Sequence, residues 1–128
     1  MQRCSYGDFS YSLPIGNTDD VFTIIVSGGR YGGDIGRVDA ATFQPTNSCH
    51  VMNLEVDPGY RKLGVAKNLL RLALKHSRQS ELVPVCIQDN DARAFWAHVA
   101  TVGDIQVRLG LLTKEVMALR SAMQPFRT

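Results

Sequence analysis

Arg61, Lys62 and Gly64 stand together at the point where Val56-Asp57-Pro58-Gly59-Tyr60 gives way to a long apolar run. The first backbone N–H groups of a helix have no partner inside it, and its dipole leaves that end partly positive. A phosphate can take those donors. Gly64 has no side chain to block the approach, and Ala66 is small. Arg61 and Lys62 add charge and donors near the same place. The stretch reads as a diphosphate cradle. The alternative is an ordinary strand–helix connection, with Gly64 relieving the turn and two solvated cations outside. No Gly-Lys-Ser/Thr follows as in a Walker loop, and a single glycine does not make a Rossmann fingerprint.

The elements that must position such a cradle can be read from periodicity. Val21-Phe22-Thr23-Ile24-Ile25-Val26 is a β-branched and aromatic strand. The glycines from Gly28 to Gly33 mark a turn to a returning strand, Ile35 to Phe43. Val51 to Val56 is a third strand, apolar enough to be central. Leu63 to about Gln79 is a helix, with Val65, Ala66, Leu69, Leu70 and Ala73 at the spacing of a buried stripe. Leu82 to Ile87 is a strand and Asp91 to Ala100 a second helix. Ile105 to Leu109 is a short strand and Thr113 to Met123 a last helix, with Leu112, Val116, Leu119 and Met123 as an inward stripe. A helix between the third and fourth strands implies a parallel pair joined by a right-handed crossover. The class is α/β (α+β): a mixed, mostly antiparallel sheet flanked by helices. Residues 1–20 read as a short strand or arm plus a loop, 21–101 as the core and 102–128 as the tail of one domain.

Arg61-Lys62-Leu63-Gly64-Val65-Ala66 resembles the Arg/Gln-x-x-Gly-x-Gly/Ala signature of the GNAT family of N-acetyltransferases. Ala92-Arg93-Ala94-Phe95-Trp96 is similar to that family's second helix motif, with Asp89 where asparagine is expected. The resemblance spans about residues 21 to 101. It implies acetyl-CoA as cofactor, lying where the parallel strands splay apart at a bulge. Arg61, Lys62, Leu63, Gly64, Val65 and Ala66 would hold the pyrophosphate by their amides. Leu54, Glu55 and Val56 would line the pantetheine arm, and the Val56 amide would polarise the thioester carbonyl.

A base must deprotonate the incoming ammonium, and Glu55 is the nearest candidate on that strand. Strand alternation sets Glu55 opposite Leu54 and Val56, with Asn53 on its own face. A solvated or ion-paired strand residue is the plainer reading of Glu55. Trp96 takes the place where the family often has a tyrosine that protonates the leaving thiolate. An indole N–H donates but is not a useful acid. His50 and His98 are secondary candidates, and His76 suits the end of a helix. The resemblance implies an acetyltransferase acting on a primary amine of a small molecule or protein. The alternative is a catalytically degenerate member that serves as a CoA-binding or interaction module.

The totals agree. The chain has 128 residues, 45% hydrophobic and 20% charged, which suits one globular domain. A net charge of +2 argues against a general nucleic-acid binder. No segment approaches about 20 apolar residues, so no membrane span is expected. Cys4, Cys49 and Cys86 are odd in number and scattered, which favours a reducing compartment and small buried roles. There is no metal half-site spacing. A cytoplasmic protein, with a homodimer as one way to complete a minimal acceptor side, is the expectation.

Overall fold

The computed structural model describes residues 3–6, 9–13, 20–28, 33–60, 64–85, 87, 89–112 and 115–116. Six strands form one sheet in chain order: β1 (Arg3–Tyr6), β2 (Phe9–Ser12), β3 (Val21–Ser27), β4 (Asp34–Phe43), β5 (Ser48–Val56) and β6 (Glu81–Pro84). Each neighbouring pair is antiparallel except β5–β6, which is parallel. That pair is joined through α1 (Val65–Ser77), and α2 (Asn90–Val99) follows β6. The expected arm over 1–20 contains the β1–β2 hairpin, which lengthens the meander on its free edge.

β-branched and aromatic residues are stiff and pack well on a pleated surface, so these runs extend. Alternation then sorts the faces. Phe22, Ile24, Val26, Val38, Ala40, Cys49 and Val51 meet Leu69, Leu70, Leu72 and Ala73 of α1 in the core. Trp96 and Val99 of α2 and Ile105 join the same cluster. Burial pushes the Cys49 thiol up to about 12, with Ser77 pulling the other way, so it is an inert core residue. Cys86 lies outside the described residues.

Several boundaries differ from the sequence reading for local reasons. α1 begins at Val65 rather than Leu63 because Gly64, its N-cap, turns left-handed at φ +79°. It ends at Ser77 because Arg78 is also left-handed, its N–H donating to the Leu74 carbonyl. β6 stops at Pro84, and Val85 N–H gives the last bond, to Val51 O at 3.0 Å. The expected strand over 105–109 is a single parallel bridge, Leu82 with Val107. Of the expected last helix only Glu115 and Val116 are described. Leu112 and Val116 are exposed there while Glu115 is fully buried, the reverse of the expected stripe. Leu119 and Met123 lie outside the described residues.

Gly36 lets β4 lie close to its neighbours. A Cβ there would sit 2.8 Å from the Glu55 carbonyl oxygen and 3.0 Å from Val26 Cγ1. Gly36→Val should therefore cost about 1–3 kcal/mol, the usual range for overpacking. Urea unfolding reads this as a lower midpoint at unchanged slope. An unchanged midpoint would mean that β3 and β5 part freely here.

Candidate functional site

The cleft comes from two features of β5. Asp39 pairs with Asn53 but Ala40 pairs with Val51, so Met52 is an extra residue, a β-bulge. The parallel ladder to β6 covers only Ser48–Val51. From Met52 onward β5 departs from β6, and a cleft of about 680 Å³ opens between them. Leu54, Glu55 and Val56 line it from β5, Ala66 from α1, and Phe95 and Trp96 from α2.

Register settles which way the β5 backbone faces. Asp57 N–H donates to Ile35 O at 2.7 Å, across to β4. Antiparallel alternation then directs the amides of Leu54 and Val56 to the opposite, cleft-facing edge. Their side chains stand perpendicular to the sheet and pack partly against the core.

At the mouth, Gly64 caps α1 without a side chain, and among the described residues nothing lies within 4 Å of where its Cβ would be. A helix N-terminus headed by a glycine is a place where backbone N–H groups can meet an anion. Val65 is fully buried, main chain included. Arg61, Lys62 and Leu63 lie outside the described residues.

Glu55 is exposed, lines the cleft and stands across the ladder from Arg37. Trp96 both lines the cleft and belongs to the core, at 5% exposure, with its ring edge-on to Phe95. Asp89 is structural. Its carboxylate caps α2 by accepting from Ala92 N–H at 2.7 Å. His50 is not near the reacting end; it is buried, stacked on Phe43 and bonded to Glu115 at 2.9 Å. His98 is exposed on α2. His76 packs edge-on against Phe22, beside a second cavity at the far end of α1.

The sequence reading missed Asp39 and Arg37. A charge set between Val38 and Ala40 in a central strand was the available signal. Among the described residues no cluster suits a metal ion, and no helix is long and apolar enough to cross a membrane.

A family model described as the Acetyltransferase (GNAT) family matches residues 11–100. No curated protein matches the chain. A Deinococcus radiodurans R1 protein, provisionally named an acetyltransferase, is 18% identical, with 88% of this chain and 91% of that one covered and a TM-score of 0.57. A provisionally named streptothricin acetyltransferase from Bacillus anthracis str. Ames, solved with acetyl coenzyme A, is 20% identical. There the alignment covers 64% of this chain and 47% of the other, with a TM-score of 0.54. AAC(6')-Iy, solved with the bisubstrate analogue CoA-S-monomethyl-acetylneamine, is 17% identical over 74% of this chain and 69% of its own, TM-score 0.54. The chain thus spans about half the length of the Bacillus protein. At these identities the likeness shows the fold. With the family model matching most of its length, and the splayed parallel pair beside a glycine-capped helix, the chain belongs to the GNAT family of acetyltransferases.

Proposed function

We propose that the chain moves an acetyl group from acetyl-CoA to a primary amine of a small molecule or protein. The observation that carries this reading is the Met52 bulge, where β5 leaves β6 and opens a cleft beside the bare N-terminus of α1. The residues fit the cofactor: a helix start whose glycine cap offers no side chain, and a strand edge with amides facing the cleft. Acetyl-CoA supplies the activated acyl group. Arg61, Lys62, Leu63, Gly64, Val65 and Ala66 give main-chain donors to its diphosphate, and the two cations add charge.

Leu54 and Glu55 flank the pantetheine path. The Val56 N–H stabilises the negative charge that grows on the thioester oxygen, an effect commonly worth about 10²–10³ in rate. Glu55 takes the proton of the incoming ammonium. Trp96 walls the α2 side and can offer a donor but no acid. The largest catalytic contribution is to hold amine and thioester in a fixed orientation. The scattered cysteines and buried free thiol suit a cytosolic setting.

Calorimetry with acetyl-CoA, followed by thiol release with an amine panel, tests the reading. Heat of binding with turnover supports it. Binding without turnover would make the chain a CoA-binding module, and no binding would remove the cofactor.

A further inference from the structure

Asp39 sits on the sheet face away from α1 and is only 5% exposed. It joins three strands. Its Oδ1 accepts from Thr23 Oγ1 at 2.6 Å and from Arg37 Nη2 at 2.7 Å, and its Oδ2 accepts from Asn53 Nδ2 at 3.3 Å. Arg37 stands directly across the ladder from Glu55. Cβ atoms in such a pair are about 4.5–5.5 Å apart, well within reach of a guanidinium. Yet the guanidinium bonds Asp39; Glu55 feels its charge at longer range but, among the described residues, has no ion-pair partner. The choice is physical. Asp39 is buried, where a charge pair is stronger, and two other donors already fix its carboxylate.

We propose that Asp39 is a positioning residue for acetyl transfer: it holds Arg37 off Glu55 and leaves that carboxylate to receive the amine proton. This rests on the reading of Glu55 as the base. The ammonium gives one proton to Glu55, and the freed lone pair forms the C–N bond. The C–S bond breaks with its electron pair on sulfur, and a second nitrogen proton reaches the sulfur through solvent. Glu55 then returns its proton to solvent. The other charges facing Glu55 are Asp57 beyond β5 and Asp89 and Asp91 at the start of α2, all lining the cleft. Among the described lining residues there is no lysine or arginine, so Arg37 is the cation that Asp39 must restrain.

Asp39→Asn keeps the shape but frees Arg37 to pair with Glu55. The ¹³C signal of the Glu55 carboxyl, identified by its loss in Glu55→Gln, should titrate at lower pH in Asp39→Asn than in the parent. Adding Arg37→Gln should return it. With acetyl-CoA and lysine amide as probes, Asp39→Asn should lose about 10-fold in kcat at nearly unchanged KM for acetyl-CoA, and the double variant should recover. Arg37→Gln alone should keep kcat near the parent's, a check that survives if Asp39→Asn does not fold. The proposal falls if the Glu55 signal does not move in Asp39→Asn, or if the double variant is no better than the single. Glu55→Gln at the parent rate would instead remove the base. Absent acetyl-CoA binding by the parent would remove the transferase reading itself.

Discussion

Gly64→Trp should bind acetyl-CoA at least about 100-fold more weakly than the parent, a loss of about 2.7 kcal/mol. Gly64 is the N-cap of α1 at φ +79°, with nothing within 4 Å of its Cβ position. Among the described residues a Cβ there meets no neighbour. On the proposed reading an indole competes with the diphosphate for the space at the start of α1. Any L side chain at this φ also carries strain of about 1–2 kcal/mol. Gly64→Ala has that strain with little bulk, so the two variants separate the effects. Both should lose thermal stability by similar amounts. Calorimetry should show acetyl-CoA binding largely kept by the alanine variant and lost by the tryptophan variant. Equal affinities in the two would end the cradle reading, since bulk at the open helix start would then be irrelevant.

That corner was legible in the sequence because its determinants are local. A glycine before a stripe of Val65, Leu69, Leu70 and Ala73 marks a helix start, and the largely apolar run Val51 to Val56 before it marks a strand. The parallel pair followed from the helix that joins it. What stayed hidden depends on partners far along the chain. The resemblance implied a bulge, but its place at Met52 is a property of register between two strands, with no signature in Val51-Met52-Asn53 itself. The β1–β2 hairpin escaped because its serine-rich strands are four residues each, and only Tyr11 of β2 is buried deeply enough to announce a core face. Asp39 is explained by Thr23, Arg37 and Asn53, on three different strands. Chemistry concentrated in one turn can be read from spacing, whereas chemistry shared across a sheet needs the sheet.

The C-terminal segment supplies the other large effect. Glu115→Ala should destabilise the fold by about 3–5 kcal/mol, the range for removing one member of a buried ion pair. Glu115 is fully buried and accepts from Arg108 Nη2 at 2.7 and 2.8 Å, Thr46 Oγ1 at 2.6 Å, His50 Nε2 at 2.9 Å and Leu112 N–H at 2.8 Å. Burial alone would raise its proton affinity. The Arg108 guanidinium, the Thr46 hydroxyl, the Leu112 amide and the His50 ring outweigh it and hold the carboxyl well below its ordinary 4.5. A depressed folded value means the unfolded chain binds the proton first as pH falls. The stabilisation is thus complete above 4.5 and drains away as pH drops towards the lower folded value. Urea midpoints of the parent should decline through this acid window, while Glu115→Gln, which has no carboxyl to titrate, should show a shallower decline. Equal slopes would mean the network carries no linked proton. The consequence reaches the cleft, because His50 and Ser48, both bonded into this network, lie on the stretch of β5 that still pairs with β6. Loosening Glu115 frees the closed end of the V from which the open end diverges.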